Sequence, residues 1–184
     1  MEANKKKKVA SLIEETWKKN PHPDLADIWD SLSPREGKDS DKKRLVWLDK
    51  LVGFKDNCAE AYIAAAKATI DMGYWGEAKA YLMAAEKIDP TMHGLQLRAI
   101  VEQNMTHNDN GLDVVLEHAG NANPDKAWTC QQTGIVYNEW SAIAMPHDSF
   151  NTIIWDVPQA RTMNEDILSR FESENSELLM SSAV

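Results

Sequence analysis

Cysteine is scarce, with 2 in 184 residues. That is too few for a disulfide framework, so a reduced compartment is expected. No apolar run approaches the roughly 20 residues needed to span a bilayer, and residues 1–10 lack the apolar core of a signal peptide. The chain is therefore expected to be soluble. Positive charge is in short supply too: 20 Lys and Arg against 29 Asp and Glu leave a net charge of −9. That balance argues against broad binding of nucleic acid or anionic membrane. Lys5–Lys8 is a basic run, and lysines at a chain end read as solvated helix. Glycine-rich phosphate loops are absent. His22, His93, His107, His118 and His147 are scattered, and none stands at a catalytic spacing from a carboxylate or serine. No enzyme is expected.

What is present is a helical repeat. In Ala59–Pro90, counted from one, Tyr62 falls at position 4, Ala65 and Ala66 at 7 and 8, and Gly73 at 15. Ala78, Leu82, Ala85 and Pro90 follow at 20, 24, 27 and 32. This is the tetratricopeptide pattern, in which large side chains fill gaps left by small ones. Two antiparallel helices approach closely only where facing positions carry little side chain, and the three alanines at 8, 20 and 27 supply that. Gly73 stands where the first helix stops, and Pro90 cannot continue the second. Such a hairpin presents surfaces and does no chemistry itself.

Before it, Lys5–Asn20 has helical spacing through Val9, Leu12, Ile13, Thr16 and Trp17. Read as a second helix without its first, it would expose an apolar stripe. The chain is therefore expected to be a fragment of a longer protein. Its stripe would be covered by homodimerisation or by folding onto Pro23–Leu32. That short helix offers Leu25, Ile28, Trp29 and Leu32, and Lys42–Phe54 offers Leu45, Leu48, Leu51 and Val52. Thr91–Met105 and Gly111–Ala119 make a third pair around the turn-rich Thr106–Asn110. From Asn121 the character changes to short aromatic and β-branched stretches broken by Gly134, Asn138, Pro146 and Asp148, the pattern of a small β unit. The expected fold class is mainly α: tetratricopeptide-like hairpins over 1–120, a β unit packed on them over 121–158, and a largely disordered tail over 159–184 holding one short helix, Asn164–Phe171.

Three landmarks occur in order: PHPDLA at Pro21–Ala26, GYWGEAKAYLMAA at Gly73–Ala85, and AWTCQQTGIVYNEW at Ala127–Trp140 followed by SFNTIIW at Ser149–Trp155. Together, over about Lys5 to Pro158, they resemble the C-terminal tetratricopeptide region of the alphaproteobacterial HemY family. That family is distinct from the protoporphyrinogen oxidase of the same name. The resemblance implies a protein anchored in the bacterial inner membrane by N-terminal helices absent here, with its repeats in the cytoplasm. It also implies a role linked to late heme synthesis that is not known to be catalytic.

The C-terminal unit is also similar to a rubredoxin-like knuckle, whose two turns hold zinc or iron through four thiolates. Laid on that pattern, the ligand positions read Cys130, Thr133, Ala144 and His147. Structural zinc needs four N or S ligands, and a threonine hydroxyl is a poor substitute. The expectation is a knuckle that has lost its metal, with a core of Trp128, Trp140, Phe150 and Trp155. The competing reading keeps a metal on Cys130 and His147, with Cys58 recruited.

Two functions follow as expectations. One is a protein-interaction scaffold for enzymes of tetrapyrrole synthesis. The first helix of each hairpin lines the groove, which for the sharp repeat means Glu60, Ile63, Lys67 and Ile70. The other is a heme or porphyrin carrier using the same groove, with His93 beside Met92 as a ligand; no Cys-x-x-Cys-His occurs. No cofactor is expected under the first. A co-chaperone that clamps a peptide carboxylate needs a cluster of cations, and only Lys67 is available.

Overall fold

The computed structural model describes residues 2–106 and 110–158. The protein is mainly α-helical, a stack of helical hairpins followed by a small antiparallel β unit. It divides into two compact units between Asp125 and Lys126. No described helix is long and apolar enough to cross a membrane.

The helical unit comprises α1 (Glu2–Lys19), α2 (Pro23–Ser31), α3 (Ser40–Gly53), α4 (Ala59–Asp71), α5 (Trp75–Ile88), α6 (Met92–Thr106) and α7 (Asn110–Ala119). Local chemistry sets several boundaries. His22 caps α2, its Nδ1 accepting the Asp24 N–H at 3.2 Å, and Pro23 fills the first turn, where no N–H is needed. At the end of α4, Gly73 takes φ +76°, which lets the Tyr74 N–H reach back to the Thr69 carbonyl at 2.9 Å. After α7 the chain returns to the start of α6. The Asn123 N–H donates to the Pro90 carbonyl at 2.8 Å, and the Met92 N–H to the Asn123 carbonyl at 3.1 Å. Residues 121–125 thereby belong to the helical unit.

Small side chains let α4 and α5 close on each other. Ala66, Ala78 and Ala85 are all buried, and Ala66 and Ala78 share a cluster with Leu82 and with Val101 from α6. Fully burying one such leucine stabilises by about 1.5–3 kcal/mol. A second cluster joins α1 to the stack through Ile13, Trp17, Ala26, Trp29, Leu51, Cys58 and Ala61. Beside it Trp29 and Trp47 stack at 4.3 Å, each indole N–H donating to the other's carbonyl at 2.9 and 2.8 Å. The stripe on α1 thus finds part of its cover inside the chain. Ile13 and Trp17 are buried, whereas Leu12 is 63% exposed and Val9 is also exposed.

Charge joins α5, α6 and α7. Lys79 reaches Glu102 at 2.9 Å, Arg98 reaches Glu102 at 3.1 Å and Glu86 at 2.6 Å, and His118 pairs with Glu86. Burial alone would raise the Glu102 carboxyl. Hydrogen bonds from Lys79 and Arg98 outweigh it and hold the group below its usual range.

The second unit contains β1 (Ala127–Cys130), β2 (Val136–Tyr137), β3 (Ile143–Ala144), β4 (Ser149–Phe150) and β5 (Ile153–Asp156). A three-stranded antiparallel sheet runs β2-β1-β5, with Trp128 opposite both Tyr137 and Trp155; β3 and β4 form a separate pair. The core here differs from the expected aromatic set. Cys130, Ala144 and Ile153 are its buried centre, with Trp128 and Tyr137 packed against it. Trp128 and Trp155 meet edge to face at 5.3 Å, but Trp140 and Phe150 are 52% and 76% exposed. Strand alternation explains Phe150, whereas Trp140 lies between β2 and β3 and in neither strand. Ala144 faces inward, so its neighbour Ile143 and the cross-strand partner Phe150 must face outward. The expected helix Asn164–Phe171 and the rest of the tail lie outside the described residues.

Candidate functional site

The four groove residues named from the repeat all sit on α4, which is flanked by α2 on one side and α6 on the other. On α4 the residues at one face, Ala61, Ala65, Ala66, Ala68 and Thr69, are buried. The opposite face carries Glu60, Ile63, Lys67 and Ile70, and helical spacing groups them. Their environments differ. Lys67 is exposed, and its ammonium is 3.2 Å from Asp27 on α2. Ile63 is half-buried at the seam with α6, where a Cβ on Gly94 would lie 3.5 Å from its Cδ1. Ile70 is half-buried against the Ala66–Ala78–Leu82 cluster. Glu60 is half-buried at the start of the helix, 3.7 Å from the Cys58 thiol.

The surface extends beyond α4. On α2, Ala26 and Trp29 turn into the core and leave Asp24, Asp27, Ile28 and Ser31 outward. On α6, Gly94 and Val101 meet α4 and Glu102 meets α5, which leaves Ile100 and Asn104 outward. Ile28 and Ile100 are 46% and 45% exposed. Sequence reading placed Ile28 on the apolar face of α2 with Leu25, Trp29 and Leu32, and it did not name the others because it took the groove from the sharp repeat alone.

In the β unit, the four knuckle positions do not make a ligand set. Cys130 and Ala144 are buried side by side, Thr133 is half-buried, and His147 is exposed. The Cys130 thiol is hydrogen-bonded within the protein, donating to the Thr152 Oγ1 at 3.3 Å. Burial raises it, but hydrogen bonds with the Thr133 and Thr152 hydroxyls and the Thr133 and Gln132 backbone push it down to about 7. A cleft of about 230 Å³ opens beside it, lined by Thr129, Gln131, Asp156 and Val157 among others, and it brings one carboxylate and no second thiol or imidazole. Cys58 lies in the helical unit, where burial pushes its thiol up. Among the described residues no group of three or more His, Cys, Asp or Glu is placed to hold a metal ion. The residues present do not fit a knuckle metal.

The histidines are dispersed. His22 is buried as the α2 cap, and His118 faces Glu86. His93 is exposed at the start of α6, its backbone N–H donating to Asp125 at 2.8 Å. His107 lies outside the described residues.

No family model matches the chain, and no solved structure matches it. Over 152 residues the chain is 26% identical to a protein of Magnetospirillum gryphiswaldense described as "Probable magnetosome protein Mms48". The similarity covers 82% of this chain and 33% of that protein, so the chain spans about a third of the length of this curated relative.

Proposed function

We propose that the helical unit is a non-catalytic protein–protein interaction scaffold whose docking surface is the outward face of α2, α4 and α6. The observation that supports this is the adjacency of the three helices, whose inward positions close the cores and whose outward positions leave Ile28, Ile100 and Lys67 at the surface. A stack of this kind offers an extended face with several helices contributing to one partner. The HemY-like landmarks supply the setting: a parent protein in the bacterial inner membrane with this region on the cytoplasmic side, holding enzymes of late tetrapyrrole synthesis together. The test is quantitative affinity capture of partners from the cells that make the protein. Bait carrying Ile28→Ser and Ile100→Ser should recover at least about tenfold less partner than wild type, the size of effect expected when anchor residues are lost. A control bait carrying Val46→Ser and Met83→Ser, which are exposed on α3 and α5, should recover it fully. Equal losses with both baits would contradict the proposal.

A further inference from the structure

The charges on this face identify the chemistry of what docks there, an inference that rests on the scaffold reading. Three exposed carboxylates, Asp24, Asp27 and Asp71, and the half-buried Glu60 stand on α2 and α4, against one ammonium, Lys67. That four-to-one ratio exceeds the 29 to 20 of the whole chain. Lys67 and Asp27 pair at 3.2 Å and cancel, so the net negative charge of the face comes from Asp24, Asp71 and the half-buried Glu60. Arg44 lies near Asp71, but its guanidinium is engaged by Asp30 at 2.6 and 2.8 Å. The outward positions of α6 add no charge and contribute Ile100 and Asn104.

We infer that the face receives a cationic, partly aliphatic protein segment, with Lys or Arg side chains meeting the carboxylates of α2 and α4 and aliphatic side chains covering Ile28, Ile63 and Ile100. An acidic segment or a free C-terminal carboxylate would meet an excess of like charge and find Lys67 already paired. Nucleic acid and anionic lipid are disfavoured on the same ground. Opposite charges distributed over the rim set orientation and encounter rate, while the isoleucines supply the buried area.

Two labelled synthetic peptides test this on the full chain: one of alternating Lys and Leu pairs, the other identical with Glu in place of Lys. Fluorescence anisotropy should show saturable binding of the Lys/Leu peptide that weakens as salt is raised. The double substitution Asp24→Asn and Asp71→Asn, both at exposed positions, leaves the Lys67–Asp27 pair intact and should weaken it about fivefold, given roughly half a kcal/mol for each exposed pair. The matched charge change Glu77→Gln and Asp113→Asn, at exposed positions on α5 and α7, should leave it unchanged. Equal or tighter binding of the Glu/Leu peptide, or an equal loss with the control pair, would overturn the cationic assignment. If the Glu/Leu peptide binds and is lost with Ile28→Ser and Ile100→Ser, the docking face stands and only its charge preference falls. If neither peptide responds to those two substitutions, the docking face falls as well.

Discussion

Trp17→Ala should destabilise the helical unit by about 3–5 kcal/mol, the range for truncating a buried tryptophan. Trp17 is 0% exposed and sits among Ile13, Ala26, Trp29, Leu51, Cys58 and Ala61, so its ring joins α1 to α2, α3 and α4 at once. Little can collapse into the space because the surrounding side chains belong to four different helices. The indole N–H has no hydrogen-bond partner among the described residues. Trp17→Phe removes that unsatisfied donor along with some apolar area, and the two effects oppose each other. Its cost should therefore stay under about 1.5 kcal/mol. Urea unfolding followed by far-ultraviolet circular dichroism reads both variants. A Trp17→Ala midpoint equal to wild type would show that α1 is not held to the stack in solution.

Ala78→Leu acts by the opposite route. Ala78 is 0% exposed where α5 crosses α4, with Ala66 facing it and Leu82 and Val101 alongside. Extra methylenes there push the two helices apart or force neighbouring rotamers, and should cost about 1–3 kcal/mol. The same substitution at Ala80, which is exposed on α5, should lie within about 0.5 kcal/mol of wild type. Equal midpoints for Ala78→Leu and wild type would remove the close helix–helix approach from the structure.

The α4–α5 hairpin was legible in the sequence because its determinants are local and of two kinds, small residues at facing positions and a glycine at the turn. Other parts were not, for reasons that differ. In the ion network from Lys79 through Glu102, Arg98 and Glu86 to His118, Arg98–Glu102 has helical i,i+4 spacing, but the other links join residues 12 to 32 positions apart, which no spacing rule connects. On α1 the periodicity picked out Leu12 and Trp17 equally, yet Trp17 is buried and Leu12 is 63% exposed. Period alone gives a face, and which edge of that face meets the neighbouring helices depends on the crossing geometry. In the β unit, aromatic content suggested a core, but two-residue strands leave the inward register to one side chain each. Ala144 took that position, which turned Phe150 outward. Of the candidate docking surface, the α4 residues came from the repeat register. Asp24, Asp27, Ile28 and Ile100 needed the adjacency of α2 and α6 to α4, which is a tertiary fact.

Docking on the outward face of α2, α4 and α6 is tested most directly by site-specific photo-cross-linking in the cells that make the protein. A photoreactive residue would be placed in turn at Lys67 and Ile100, on that face, and at Val46 and Met83, exposed on α3 and α5. The expected result is a discrete protein adduct from Lys67 and Ile100, absent from Val46 and Met83. The same adduct from all four positions, or an adduct from Val46 and Met83 alone, would contradict the assignment of this face as the docking surface.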